Sequence, residues 1–399
     1  METLIIKDGL EKAAALLRAG ELVAVPTETV YGLACSGLDP DAVSKIYEVK
    51  GRPPVKPLSL MVSGAQDMEK YCRDVPRAAY TLADKYWPGP LTIVLGAKDN
   101  VPEIVRAGGD TVGLRCPDHP MTQELLRLAD LPLAAPSANP SGAPSPKTAA
   151  AVREYFDGSI AAILDGGKCG IGLESTLIDL SCKPYKILRQ AALSEAELKD
   201  ALLEGMKIVG ITGGSGCGKT TALNTLAAQG ALIIDCDALY HSMLREDMTL
   251  KAELFKAFPE CDNQGRVDRK ALGQTVFNNA EALELLNRIT HRHIDRAVRE
   301  LLREHAMNGG ELAAIDAVEL ISSGISRICD IVVAVRADRA VRLKRIMARD
   351  GISEESAAMR IDAQRSDAYY EENCRFVLTN NGDIQEFTNE FKNILQEAL

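Results

Sequence analysis

The sequence predicts an α/β protein in two parts: an amino-terminal α/β domain built on a twisted sheet, then a P-loop fold, a parallel sheet flanked by helices and carrying a lid. Three observations carry this expectation. Short apolar or β-branched runs alternate with helical stretches through the first 205 residues. The stretch "KIVGITGGSGCGKTTAL", from Lys207 to Leu223, places an apolar strand before a Gly-rich turn and a helix after it. Beyond it, longer helices separate strands of the wholly apolar kind that buried parallel sheets use.

Taken in order, "METLIIKDGLEKAAALLRAG" reads as a strand followed by an amphipathic helix. Strands follow in "ELVAVPT", "LTIVLG", "TVGLRC", "LPLAAPS", "AAILDGG" and "STLIDL", with helices around "DAVSKIYEVKG", "MTQELLRLAD" and "KTAAAVREYF". After "KILRQAALSEAELKDALLEG" a new strand begins, so the seam falls at Gly205 to Lys207 and the expected domains are 1–205 and 206–399. The second part adds strands in "ALIIDCD", "ELAAIDA" and "DIVVAVRA". No repeat, low-complexity tract or long Pro, Ser or Gly linker is visible.

Composition sets outer limits. The chain has 399 residues, 46% hydrophobic and 26% charged, which is ordinary for a globular protein of two or three compact units. Up to Gly205 there are 22 Lys and Arg against 27 Asp and Glu, and beyond it 24 against 29, so neither half announces nucleic acid through net charge. The ten cysteines are scattered, with no CxxC pair and no Cys/His cluster at metal-ligand spacing, which points to reduced thiols in a cytoplasmic protein. The start lacks the pattern of a signal peptide, and no apolar run approaches the length of a membrane span.

"GGSGCGKT", from Gly213 to Thr220, fits GxxxxGK[ST] between a strand and a helix. Glycines allow backbone amides to turn toward an anion, and the helix start adds its positive end. Lys219 would reach the β and γ phosphates of ATP and Thr220 would hold Mg²⁺. "IIDCDALY" puts Asp235 and Asp237 at the carboxyl edge of the sheet, one to assist the metal and one to accept a proton, though an Asp pair also suits a helix start. "VRLKRIMARDGISEESAAMRIDAQR" spaces Arg342, Arg345 and Arg349 along one helix, breaks at Gly351 and resumes, as an arginine-bearing lid would; a solvated cationic face has the same pattern.

These segments, with "LGQTVFNNAEALELLNRITHRHI", "ISSGISRICDIVVAV" and "LTNNGD", resemble dephospho-coenzyme A kinase from Met206 to about Asp383. The resemblance implies ATP on Gly213 and on Gly216, Cys217, Gly218, Lys219, Thr220 and Thr221, with Arg345 and Arg349 in the lid. It implies Asp237 as the base acting on a ribose 3′-hydroxyl, Asp235 and His291 near the acceptor, Thr220 and Asp235 at the metal, and coenzyme A as product. The chain departs from the family at "DAVELISSG", where Asp316 is kept, a Pro and a Phe are absent, and Glu319 is displaced.

The first half has no Walker motif. "KGRPPVKPLSL" sets Lys50, Arg52 and Lys56 close together on a proline-stiffened segment, either to grip an anion or as a basic surface loop. "APSANPSGAPSP" adds Ser137 and Asn139 after an apolar strand, as ligand contacts or as turn and cap residues. Arg115 ends an apolar strand and needs an anionic partner, which a structural carboxylate of the chain could also supply.

With "VPTETVYGL", "WPGPLTIVL", "TVGLRCPDHP", "GLESTLIDL" and "ILR", these motifs resemble the threonylcarbamoyl-AMP synthase family over residues 5 to 195. Only the catalytic domain of that family is recognised. The resemblance implies formation of threonylcarbamoyl-adenylate and pyrophosphate from L-threonine, bicarbonate and ATP, for modification of adenosine 37 in tRNA, with handover to a tRNA-modifying complex or weak RNA contact. It implies a nucleotide tetrad of Lys50, Arg52, Ser137 and Asn139, joined by Lys56, Thr111 and Arg189, and a threonine seat of Thr29, Arg115 and Ser175. Lys56 and Met61 stand where many members have Asn and His. The chain thus reads as a fusion of two ATP-using enzymes; the rival reading is an RNA-binding or regulatory module joined to another, or inactive, P-loop kinase.

Overall fold

A computed structural model describes residues 2–277 and 279–398. They form two compact units, the described residues of 1–205 with Met307–Gly309, and those of 206–306 with 310–399.

Unit 1 contains strands β1 (Leu4–Ile6), β2 (Val23–Val25), β3 (Gly32–Ser36), β4 (Ser59–Met61), β5 (Cys72–Arg73), β6 (Leu91–Ala97), β7 (Thr111–Arg115), β8 (Leu133–Ala134), β9 (Ala162–Leu164), β10 (Thr176–Asp179) and β11 (Lys186–Arg189). Its helices are α1 (Leu10–Arg18), α2 (Pro40–Lys50), α3 (Met68–Tyr71), α4 (Arg77–Tyr86), α5 (Glu103–Arg106), α6 (Pro120–Ala129), α7 (Ala149–Phe156) and α8 (Glu195–Glu204). The strands make one mixed sheet in the order β1-β9-β2-β3-β8-β4-β7-β6-β10-β11, with β5 beside β6. Strands β3, β4, β5 and β11 lie outside the apolar runs named above; β3 is fully buried, β5 has only two residues and β11 is mostly exposed. Helices α1 and α6 pack with Val23, Val25, Leu133 and Leu164 in one core.

Local chemistry explains how α2 delivers its last residues to the site. The Asp39 carboxylate accepts from the amides of Asp41 and Ala42, Pro40 opens the first turn, and Gly51 closes the helix at φ 56°. That termination leaves Lys50 on the last helical turn and turns the chain sharply toward Arg52.

Unit 2 contains β12 (Lys207–Thr212), β13 (Leu232–Asp235), the hairpin β14 (Asp262–Asn263) and β15 (Arg266–Val267), β16 (Leu312–Asp316), β17 (Ile331–Arg336) and β18 (Phe376–Thr379). Its helices are α9 (Lys219–Ala227), α10 (Cys236–Glu246), α11 (Met248–Ala257), α12 (Arg269–Phe277), α13 (Ala280–Met307), α14 (Arg339–Asp350), α15 (Glu354–Asp362), α16 (Asp367–Asn373) and α17 (Ile384–Ala398). The order β13-β16-β12-β17-β18 is parallel at every pairing. Val209, Ile211, Val333 and Leu378 build a core with α9 and α17. In the register, Asp235 pairs with Asp316 and Ile211 with Asp316, so the acidic ends of β13 and β16 lie together beside the turn that follows β12.

Candidate functional sites

In unit 1, the carboxyl ends of β7 and β11 and the amino end of β10 meet at one end of the sheet, because β7 runs antiparallel to β6 whereas β10 runs parallel to β6 and antiparallel to β11. A cavity of about 360 Å³ opens there, and its walls carry Arg52, Lys56, Arg115, Ser137, Ser175 and Arg189, drawn from segments far apart in sequence. Met61 and Leu177 supply apolar wall, and Glu174 stands among the cations.

Not every expected residue faces this space. Lys50 is 3% exposed and donates to the carbonyl of Ser137 at 2.5 Å and to that of Asn139. Burial, then the nearby Arg52 charge, lowers its ammonium to about 8. It therefore ties α2 to the 137–139 loop instead of pointing at a ligand, since two buried carbonyls claim its protons. Asn139 turns its amide to Pro140 and Ala143 oxygens at 3.0 and 2.6 Å, leaving its own buried Oδ1 without a hydrogen bond. Thr111 opens β7 four residues before Arg115, and a strand rise of about 3.3 Å per residue carries it away from the cavity, whose walls do not include it. Thr29 is fully buried behind Arg115, accepting from it at 2.6 Å and meeting the Thr27 hydroxyl at 2.9 Å.

Arg115 has the structural carboxylate that its burial demands. It is 7% exposed and bonds Glu28 Oε1 at 2.7 Å, while Glu28 Oε2 accepts from the Asp118 amide at 2.9 Å. Glu28 was missed in the sequence, although it sits inside "VPTETVYGL"; the signal was one acid among small residues beside a strand-end arginine. Glu174, in "GLESTLIDL", was missed likewise: it pairs with Arg189, whose guanidinium also reaches the Ser175 carbonyl at 3.0 Å and hydroxyl at 3.2 Å. Arg52 donates to the Lys56 and Pro57 carbonyls at 3.4 and 3.0 Å, closing the proline loop on itself, and burial lowers it from its ordinary value.

In unit 2, Gly213, Gly216 and Gly218 adopt φ of 131°, 78° and 89° in the turn between β12 and α9. A side chain at Gly213 would place its Cβ 2.1 Å from the Val335 carbonyl oxygen. The loop is held from behind: Arg342 donates to Ser215 O at 3.0 Å, and Arg345 to Gly216 O at 3.3 Å and Asn380 O at 2.9 Å. Gln364 on the segment after α15 binds Ser215 through its amide and hydroxyl, both at 2.9 Å. With carbonyls engaged on that side, the Lys219 ammonium folds to Gly213 O at 3.1 Å and stands 3.9 Å from Asp316. Thr220 is exposed at the helix start, and Cys217 is buried with its thiol pushed up by burial.

The lid arginines divide. Arg345 lies on the loop, whereas Arg349, one turn on, is intercepted by Asp350 at 2.7 Å and does not reach it. The carboxylates divide as well. Asp235 Oδ1 accepts from the amides of Asp237 and Ala238, both at 2.9 Å, so one of its oxygens is a helix cap, as the residue type also allowed. Asp237 lines a cavity of about 290 Å³ with Tyr240, His291, Glu319 and Ser323; Asp235 does not. Burial lowers the His291 imidazole from its ordinary value, with Glu319 opposing. The altered "DAVELISSG" segment thus still brings Glu319 to the wall shared with Asp237 and His291. Asp316, not assigned a role in advance, is the most perturbed carboxyl of the group: burial pushes it up to about 6, Lys219 opposing and Asp235 and Asp237 adding, and its Oδ1 is buried without a hydrogen bond.

Comparison with known proteins follows the same division. The family model described as Telomere recombination (Sua5, YciO, YrdC) matches residues 15–191, and that of dephospho-CoA kinase matches residues 207–386. A threonylcarbamoyl-AMP synthase of Pyrococcus abyssi is 45% identical over 192 residues, 48% of this chain and 56% of the relative. The chain therefore spans about half the length of that relative. One of Pseudomonas putida strain KT2440 is 37% identical over 172 residues, 43% of this chain and 92% of the relative. A crystal structure of the Pyrococcus abyssi protein complexed with L-threonine covers 84% of this chain and 100% of its own at 27% identity, with a TM-score of 0.49. No described helix is long and apolar enough to cross a membrane. The chain belongs to the threonylcarbamoyl-AMP synthase family through its first half and carries a dephospho-CoA kinase domain in its second.

Proposed function

We propose that residues 1–205 form threonylcarbamoyl-AMP and pyrophosphate from L-threonine, bicarbonate and ATP, and that residues 206–399 transfer phosphate from ATP to the 3′-hydroxyl of dephospho-coenzyme A. The observation that carries the first activity is the convergence of Arg52, Lys56, Arg115 and Arg189 on one cavity. Two anionic reactants have to be held together there, and clustered cations do so while neutralising charge that builds on phosphorus. The threonine amine and bicarbonate give a carbamate with loss of water; the carbamate attacks the α-phosphorus through oxygen, and the bond from that phosphorus to the bridging β-phosphate oxygen breaks to release pyrophosphate. Arg52, Lys56, Ser137 and Arg189 grip the nucleotide; Lys50 and Asn139 shape the loop beneath it. Arg115 takes the threonine carboxylate, with Glu28 and Thr29 setting its orientation and Ser175 at its side.

In the kinase half the amides from Gly213 to Thr221 cradle the triphosphate, Lys219 leaves Gly213 O for the phosphates, and Arg345 stiffens the loop. Asp237 takes the proton of the acceptor hydroxyl, and His291 and Glu319 line the acceptor's seat. Magnesium would be held by the oxygens of Thr220, Asp235 and Asp316, because Asp316 Oδ1 is buried without a hydrogen bond and stands 3.9 Å from Lys219 of the loop. When bound with ATP it neutralises phosphate charge. A place in the cytoplasm, with the adenylate handed to a tRNA-modifying complex, completes the reading. The family matches do not favour the rival of an RNA-binding module joined to an unrelated kinase.

The test is two assays on one preparation: pyrophosphate release dependent on both threonine and bicarbonate, and mass measurement of dephospho-coenzyme A after incubation with ATP. No pyrophosphate signal sinks the first assignment, and an unchanged acceptor mass sinks the second.

A further inference from the structure

Unit 2 has a second cavity that the phosphoryl transfer just described does not use. Its volume is about 570 Å³, and its walls include His241, Leu244, Arg245, Arg266, Val267 and Arg269. Four nitrogen-bearing side chains reach it from three elements: His241 and Arg245 one turn apart on α10, Arg266 on β15, and Arg269 at the first position of α12.

These arginines are unpaired. Among the described residues, none of the three guanidiniums makes an ion pair or a hydrogen bond. The chain has a formal net charge of −10, so acids are plentiful. The acids next to them in sequence bond elsewhere: Asp262 accepts from the Gly265 amide at 2.8 Å, Asp268 from the Lys270 and Ala271 amides at 2.9 and 3.1 Å, and Glu246 from the Ser242 hydroxyl at 3.4 Å. The three arginines are exposed at the rim of one space without a counter-charge, and such a cluster attracts an anion.

The position of the cavity says which anion. Helix α10 begins with Asp237 and Tyr240 on the acceptor cavity and continues with His241 and Arg245 on this one. A rise of 1.5 Å per residue separates Asp237 from Arg245 by about 12 Å, and side chains shorten the gap. Burial pushes the Tyr240 hydroxyl up and the Arg269 charge pulls it back, so Arg269 stands close to a wall of the acceptor cavity. The two spaces are successive stations along one helix.

We infer that the arginine cavity seats a diphosphate carried by the acceptor, whose reacting hydroxyl lies at Asp237. Guanidinium forks match phosphate oxygens two at a time, and three of them suit a group with two phosphates better than a single carboxylate. Leu244 and Val267 give an apolar floor for the uncharged remainder of the molecule. The assignment rests on the kinase reading above and extends it from the reacting atom to the group that selects the acceptor.

The test uses the full chain, with Arg266→Ala/Arg269→Ala, Arg245→Ala and the doubly Lys-substituted Arg266→Lys/Arg269→Lys. KM for dephospho-coenzyme A should rise at least tenfold in the double Ala variant, with KM for ATP unchanged and partial recovery in the Lys variant. Calorimetric binding of dephospho-coenzyme A without ATP should weaken by the same factor. If the unsubstituted protein phosphorylates dephospho-coenzyme A and the variants keep its KM, the diphosphate seat is overturned and the kinase reading stands. Arginine-dependent binding without any phosphorylation sinks the kinase reading and supports the seat. Absence of binding overturns both. Should inorganic phosphate alone raise the melting temperature in an arginine-dependent way while KM for dephospho-coenzyme A is unaffected, the cavity is a free-anion site and the proposal is wrong.

Discussion

Lys219 Nζ stands 3.9 Å from Asp316 Oδ1, and burial pushes that carboxyl up to about 6 despite the ammonium beside it. A chain from the phosphate loop and the end of the neighbouring strand thus share one charge pair that neither segment could specify alone.

The pair has a pH signature in the ligand-free protein. An acid whose folded pKa exceeds its unfolded value of about 3.9 keeps its proton longer when folded. Its contribution to stability is full below that value and is lost as pH rises to about 6. Asp316→Asn removes the loss, so the carboxy-terminal unfolding transition at pH 8 should move up by a few degrees in calorimetry. Phosphoryl transfer by the same variant should drop by about 100-fold or more, the scale of a lost electrostatic contact in a transition state.

Gly213 has φ 131° and no room for a methyl group, since a Cβ would lie 2.1 Å from the Val335 carbonyl oxygen. Gly213→Ala should displace the loop from β17 and remove ATP binding by unit 2. Nucleotide titration would then show only the amino-terminal site; two sites of unaltered affinity would contradict the structural account.

Lys50 and Arg52 are two residues apart and should behave differently. Lys50→Ala strands two buried carbonyls at about 1–3 kcal/mol each, so it should lower both the amino-terminal melting temperature and adenylate formation. Arg52→Ala should abolish adenylate formation with little change in melting. In the same assays Lys219→Ala should abolish only phosphoryl transfer. Loss of both reactions from Arg52→Ala or from Lys219→Ala would mean that the activities are coupled.

Arg115 and Glu28 form a pair with side chains 9% and 12% exposed. Removing one member leaves a buried charge, so Arg115→Ala should destabilise the amino-terminal transition by about 3–5 kcal/mol in urea unfolding. Combining it with Glu28→Gln should recover part of that cost, as expected for residues in contact. Strictly additive losses would show that the pair is not the source of the destabilisation.

What the sequence determined by itself was local. The strand, glycine turn and helix from Lys207 to Ala227 are contiguous, and the turn's geometry follows from glycines that adopt positive φ, so the phosphate loop was legible at once. The parallel character of the second sheet was legible for the same reason: apolar runs act over a few residues. Tertiary structure decided which charges meet. Whether Lys50 faces a ligand or two carbonyls depends on a loop 87 positions away, and Arg115 finds its carboxylate at a separation of 87. Asp316 acquires its raised pKa from burial between packed strands, with Asp235 and Asp237 adding, and β16 lying beside β12 sets it against Lys219, which opposes the shift. Periodicity states that a face is buried; it does not name the segment that covers it, and charge chemistry at these sites is set by that segment.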